Sequence, residues 1–250
     1  MTSPHRLLNK VPLVLLACLL LIGCQAASIA PAPETLDDLP PARTASRARF
    51  DIAVSLGEVD QPMQIVEYGN GAFVLPDRLH VATVPDVDDP SVYLRTITQV
   101  GSEVYVAEPS VRGWQRADNA ELLFVQSILL VPKLLHHTDQ AEGVVRIDDE
   151  PLPDLQATHY QAWFDCDVVA RIAADIAAVN DPTREQIDRA TGCKLDYWLD
   201  EQGHLRRHNL ELDLPPNVAG LDEAPRIRFT QLVTYKQLDD PAITIEAPIR

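Results

Sequence analysis

Four thiols, seven imidazoles and a large excess of carboxylates are the groups in this chain with chemistry to offer, and their spacing offers little catalysis. The cysteines are Cys18, Cys24, Cys166 and Cys193, none of them in a CxxC pair or a Cys/His pattern with zinc spacing. His136 and His137 are adjacent, so they do not share a helix face as the ligands of an HExxH motif do. At a helix C-terminus they would instead suit the dipole. Asp86, Asp88 and Asp89 lie between Pro85 and Pro90 and lack the glycine and final glutamate of a calcium loop. They read as an acidic surface turn, and so do Asp148-Asp149-Glu150. No serine stands in GxSxG, and there is no P-loop or GxGxxG. His159, His204 and His208 fall on expected strands with no nucleophile beside them, and nothing pairs two carboxylates as acid and base. The expectation is a non-enzymatic protein with no catalytic residues, no metal site and no cofactor.

The elements that carry these groups begin with a short cationic start, His5, Arg6 and Lys10, followed by the apolar run Val11 to Ile22. As a helix of about 12 residues, the run spans about 18 Å. A bilayer core needs about 20 residues, or about 30 Å. A cationic start and a short apolar run are the marks of a secretory signal. From Gln25 to about Ser46 the chain is rich in Ala, Ser and Thr and carries Pro31, Pro33, Pro40 and Pro41, with no apolar period. Such a segment is extended and semi-stiff, and roughly 20 residues reach up to about 60 Å at 3.1 Å per residue.

Hydrophobic content of 46% over 250 residues allows a sizeable core. The formal charge is −16, and loss of Arg6 and Lys10 with the signal takes it to −18. Such a surface repels phosphate backbones, so nucleic acid is not an expected partner.

Strands open the main domain. Phe50, Ile52, Val54 and Leu56 alternate with Asp51, Ala53 and Ser55, a period of two with one apolar face. Met63 to Tyr68 leads into Gly69-Asn70-Gly71, where Asn-Gly predicts a hairpin turn. Ala72 to Leu75 and Leu79 to Val84 continue the meander with Pro76-Asp77 as a break, and Tyr93 to Val100 and Glu103 to Ala107 follow. Glu121 to Val131 is a Leu-rich helix that Pro132 should kink or end. It is apolar all round, as a helix is when buried on every side or facing something oily. Phe124, Ile128 and Leu129 are therefore either core or the wall of an apolar cavity, and the same holds for Phe50, Ile52, Val54 and Leu56. Val144 to Ile147 and Ala157 to Phe164 are further strands. Helical pieces follow at Val168 to Val179, capped by Asp165 or Asp167, and from Asp181 to about Ala190. Strands return at Lys194 to Leu199, His204 to Leu212 and Arg226 to Leu238. Outside the cytoplasm two leftover thiols usually pair. Cys166 and Cys193 flank the helical stretch, and closing a loop of about 28 residues is worth roughly 3.5 kcal/mol.

Leu21-Ile22-Gly23-Cys24 resembles the bacterial lipobox: a branched apolar residue, a small or branched residue, Gly or Ala, then Cys. That resemblance implies a signal peptide at 1–23, cleavage before Cys24, and acylation of its sulfur. Residues 24–46 then form a lipidated tether. Each buried methylene of an acyl chain is worth about 0.8 kcal/mol and two or more chains anchor stably, so the protein would be held at a membrane through Cys24, on the extracytoplasmic side of the cell envelope. Gln25 in place of Asp favours the outer membrane in a two-membrane host.

Residues 47–250 resemble the mycobacterial LppX/LprAFG-type lipoproteins and, more distantly, LolA/LolB-like lipoprotein carriers. The resemblance rests on Tyr197-Trp198-Leu199-Asp200 with its Gly turn, Leu205-Arg206-Arg207, and the closing Ile243-Thr244-Ile245-Glu246-Ala247-Pro248. Gly71 to Asp77, Val104-Tyr105-Val106 followed by Trp114, and His159-Tyr160 are also similar. It implies an α+β fold, a curved antiparallel β-sheet or half-barrel with helices packed on the concave face. It also implies an apolar cavity for acyl chains of a lipid or lipoprotein ligand, lined here by Phe50, Ile52, Val54, Leu56, Phe124, Ile128 and Leu129. A rival expectation is an interaction scaffold with a closed core that binds another envelope protein.

Overall fold

A computed structural model describes residues 41–84, 95–108, 112–117, 123–152, 155–176, 181–215 and 225–248. The expected signal, Cys24, the tether up to Pro40 and the Asp86–Asp89 cluster lie outside the described residues.

The chain runs β1 (Arg47–Glu58), β2 (Gln64–Val74), β3 (Arg78–Val84), β4 (Arg95–Val100), β5 (Glu103–Ala107), β6 (Gln115–Arg116), α1 (Leu123–Leu135), β7 (Gly143–Leu152) and β8 (Leu155–Phe164). It continues with α2 (Cys166–Ala174), α3 (Asp181–Asp188), β9 (Gly192–Leu199), β10 (Leu205–Leu214) and β11 (Ile227–Lys236). The strands form one curved antiparallel sheet of 11 in the order β6-β5-β4-β3-β2-β1-β11-β10-β9-β8-β7. Pairing of β1 with β11 joins two meanders into this sheet. The outermost strands, β6 and β7, do not pair with each other, so the sheet is open.

One face of the sheet carries the core. Phe50, Ile52 and Val54 point into it, as their alternation predicts, and are each under 5% exposed. Register carries this face across the strands: Ile52 lies opposite Val233, Val233 opposite His208, His208 opposite Tyr197, and Tyr197 opposite Tyr160. The three helices cover that face, α2 against β9 and both α1 and α3 against β10. From Gln126 to Val131 α1 is buried throughout, its polar Gln126 and Ser127 included: Ile128, Leu129, Leu130, Val131 and Leu134 are each at most 1% exposed. Asp165 caps α2 by accepting a hydrogen bond from the Asp167 amide at 3.0 Å. A disulfide joins Cys166, the first residue of α2, to Cys193 on β9, with their Cα atoms 5.4 Å apart.

Segments before and after the sheet are stitched to its ends. Gly203 accepts a bond from the Arg43 amide at 2.8 Å, Arg43 accepts one from the Leu205 amide at 2.9 Å, and Ser46 accepts one from the Leu75 amide at 2.8 Å. Beyond β11, Ile243 and Ile245 are buried. Arg47 and Arg78 donate to their carbonyls at 3.2 and 2.6 Å, strapping the C-terminal segment down.

Three local expectations are corrected. Gly69-Asn70-Gly71 is not a turn, because β2 runs straight through it, paired with β1 and β3. A Cβ on Gly71 would run into the His80 carbonyl oxygen and sit 2.6 Å from Cζ of Phe50, and one on Gly69 would run into the Ala82 carbonyl oxygen. The glycines answer to close approach within a strand. The actual reversal is at 75–77, around a cis Leu75–Pro76 bond. Pro132 does not end α1, which continues to Leu135. The proline removes one backbone bond, but dense burial on either side of it holds the helix. Asp148-Asp149-Glu150 is not a turn but part of β7. A register shift between Arg146 and Asp149 lets the acidic run stay in the strand.

Candidate functional site

At one end of the helical layer, four separate segments meet around a half-open cleft of about 350 Å³. Its apolar surface comes from Leu75 and Pro76 of the β2–β3 reversal, Leu129 and Pro132 of α1, and Ile176 just after α2. Its polar surface comes from Thr44, Asp77, Lys133, His136 and Asp175. The volume falls within the usual span for small-ligand sites, about 300–1,000 Å³, and the mix of apolar wall and few polar groups is also typical.

Each wall has a local cause. Among the described residues at the end of α1, Lys133 and His136, the residue just past the helix, reach the surface, and Leu134 and Leu135 between them are buried. They are three residues apart and so lie on the same helix face. Helix α1 ends here, with the His136 and His137 amides donating to the Lys133 and Leu134 carbonyls at 3.0 and 2.9 Å. Nε2 of His136 lies 3.4 Å from the Thr44 hydroxyl. His137 does not line the cleft; its Nδ1 is 3.1 Å from the Gln140 amide nitrogen. Asp175 is the C-cap of α2, and the disulfide at the other end of that helix holds it to the sheet. Inward, the cleft adjoins a gap of only about 10 Å³ bounded by Phe73, Leu205, Tyr235 and Leu238, barely the room one water needs. Packed side chains therefore separate the cleft from the rest of the core.

Of the residues expected to line an acyl cavity, Leu129 borders this cleft. Phe50, Ile52, Val54 and Ile128 belong instead to the continuous buried core. Leu56 is 39% exposed, near the end of β1 beyond the irregularity at Val54–Ser55. Phe124 lies in the first turn of α1, and its side chain is outside the described residues.

The strand histidines have structural neighbours. His208 is fully buried in the core, with Nδ1 2.9 Å from the Tyr235 hydroxyl. Burial pushes its pKa down to about 3, against a hydrogen bond with Gln231 that acts the other way, so the ring is neutral near pH 7. His159 is on the opposite face of the sheet, stacked on Trp198 with ring centroids 4.1 Å apart. Its Nε2 lies 3.2 Å from Oδ1 of Asp196, which also accepts from Gln161 at 2.6 Å. Burial pushes the Asp196 carboxyl up, but bonds from His159 and Gln161 and the charge of Lys194 together hold it below its ordinary value. His204 sits 3.5 Å from Asp200 in the β9–β10 turn. Among the described residues no group of three His, Cys, Asp or Glu side chains is placed to hold a metal ion. Nor is any described helix long and apolar enough to cross a membrane.

Comparison with known proteins finds matches among solved structures. LprF from Mycobacterium bovis is 13% identical with a TM-score of 0.46, over 80% of this chain and 89% of that one. The Mycobacterium tuberculosis lipoprotein LppX is 12% identical with a TM-score of 0.43, over 80% and 90%. A LolA superfamily protein from Nitrosomonas europaea is 10% identical with a TM-score of 0.34, over 82% and 89%. The likeness is one of fold. No protein-family model matches the chain, and no curated protein does.

Sequence reasoning missed Thr44, Leu75, Pro76, Asp77, Lys133 and Asp175 as cleft residues. The one signal that pointed there is the Leu-rich helix, on which Lys133 is the first charged residue after Glu121.

Proposed function

We propose that the protein is an envelope lipoprotein, anchored through acylated Cys24, whose domain holds an acyl chain of a lipid or lipoprotein in the cleft between α1, the end of α2 and the β2–β3 reversal. The observation that carries this reading is the cleft: an apolar wall of Leu75, Pro76, Leu129, Pro132 and Ile176, open to the surface and edged by polar groups. The lipobox-like Leu21-Ile22-Gly23-Cys24 supplies the membrane setting. Permanent anchoring suits a receptor or local hand-off role over a diffusing shuttle. The test is native mass spectrometry of the protein after mild extraction, together with displacement of a fluorescent fatty acid. Co-purifying acyl species and saturable displacement are expected; a ligand-free spectrum with no displacement would sink the reading.

A second reading, an envelope interaction scaffold, has its own support. Phe50, Ile52, Val54 and Ile128 fill the core. On the face of the sheet away from the helices, Tyr68 and Leu232 flank Ala53 in register and are 37% and 38% exposed. Cross-linking in intact cells that captures one protein through Tyr68, with no acyl ligand found, would favour it.

A further inference from the structure

Resting on the reading of the cleft as an acyl site, we propose that the ligand it takes is a zwitterionic amphiphile, with a phosphate and a primary ammonium at the head of its chain. Charges of both signs rim the same cleft. Lys133 extends from the surface strip of α1, with His136 one turn on. Facing them from the other walls are two carboxylates, Asp77 on the β2–β3 reversal and Asp175 at the end of α2. Among the described residues, no side-chain hydrogen bond or ion pair occupies Lys133, Asp77 or Asp175. Elsewhere the molecule pairs its charges freely: Arg228 with Asp213 at 2.8 Å and Lys194 with Glu211 at 3.2 Å. The cleft is thus a place where opposite charges surround an apolar wall and are left for something else to bridge.

The sign count selects the headgroup. An anionic head meets one lysine but two carboxylates, and a chain with a formal charge of −16 opposes it at longer range. A cationic head meets the carboxylates but is repelled by Lys133. A neutral head uses none of the charges. A head with both signs places its phosphate toward Lys133 and His136 and its ammonium toward Asp77 and Asp175, while its chain lies along Leu129, Pro132 and Ile176. These rim groups are solvated, so each favourable pair is worth up to about 1 kcal/mol, or about fivefold in affinity.

The chain from Gln25 onward keeps every described residue and the whole core, and it is the form to test. Three probes with the same acyl chain are titrated below their micelle concentrations: lysophosphatidylethanolamine, lysophosphatidylglycerol and monoacylglycerol. The expected order puts lysophosphatidylethanolamine about fivefold ahead of both others. The double change Asp77→Asn, Asp175→Asn removes the lead of lysophosphatidylethanolamine over lysophosphatidylglycerol, with a far-UV circular dichroism spectrum like the parent's reporting that the variant is folded. Lys133→Gln weakens the two phospholipids and not monoacylglycerol. Equal binding of all three probes, or a preference for lysophosphatidylglycerol, overturns the headgroup inference and leaves the acyl site standing. Failure of all three to bind overturns the acyl site itself, and the headgroup inference with it.

Discussion

Phe50 on β1 faces Gly71 on β2 across the strand pair, and its ring occupies the space that a side chain at 71 would need. The ring is 1% exposed and lies 6.5 Å from that of Phe73, so it has little freedom to move aside. Gly71→Ala should cost about 1–3 kcal/mol by overpacking, measured by urea unfolding. Gly143→Ala is the control, since its new Cβ would meet nothing closer than 3.9 Å. A Cβ at 71 would also meet the His80 carbonyl oxygen, so equal stability of the two variants would show that both the ring and the β3 backbone yield easily.

The surroundings of Gly71 explain why the Asn-Gly turn expected at Gly69-Asn70-Gly71 does not form, whereas the break expected at Pro76-Asp77 is where the chain reverses. Asn-Gly is a strong local turn signal, but here the need for glycine at 71 comes from the His80 carbonyl on one neighbouring strand and the Phe50 ring on the other. Where local and tertiary demands agree, the sequence is readable: the alternation at Phe50, Ile52 and Val54, the cap at Asp165, the thiols at either end of the helical stretch. Where a distant partner decides, it is not. Pro132 sits inside a helix because the core around Ile128–Val131 and Leu134 holds it there. Asp148–Glu150 stays in a strand because a register shift takes up the irregularity. The cleft was the least legible feature, since Thr44, Leu75–Asp77, Lys133 and Asp175 share no local pattern. The apolar helix suggested a wall somewhere; only the fold shows that Leu129, and not its neighbour Ile128, borders open space.

His208 makes stability depend on pH. Its folded pKa, about 3, lies below the ordinary 6.5. The unfolded chain therefore binds a proton below pH 6.5 that the folded one refuses, so this contribution is intact above 6.5 and is lost as pH falls toward 3. The slope is at most about 1.4 kcal/mol per pH unit from this one group. Thermal melts between pH 7 and pH 4 should show the midpoint falling as pH falls, and His208→Gln should flatten the fall while lowering stability at pH 7. An unchanged slope in the variant would mean that other groups set the acid limit.

The disulfide should matter to binding as well as to stability. Cys166 opens α2 and Asp175 closes it, so the bridge to Cys193 fixes a helix whose far end is a wall of the cleft. Replacing both cysteines by alanine should cost about 3–4 kcal/mol, from the loop-closure term for 27 residues of separation. At a temperature where the variant remains folded, fatty-acid affinity should drop severalfold. Lost stability with full affinity would show that packing of Val169, Ile172 and Ala173 alone positions the cleft wall.

Filling the cleft separates an acyl site from a merely exposed groove. Leu75 lies on the β2–β3 reversal, packs against the edge of the core and is only partly buried, unlike Leu129, so a larger side chain there takes up room in the cleft. Leu75→Trp should cost no more than about 1–3 kcal/mol and leave the protein folded. It should nevertheless lower fatty-acid affinity tenfold or more, because the indole takes the volume that the chain needs. Leu232→Trp, on the face away from the helices, adds the same bulk and should leave affinity alone. If the two variants bind the probe equally well, the chain is not held between α1 and the reversal, and the apolar surface there serves a protein partner instead.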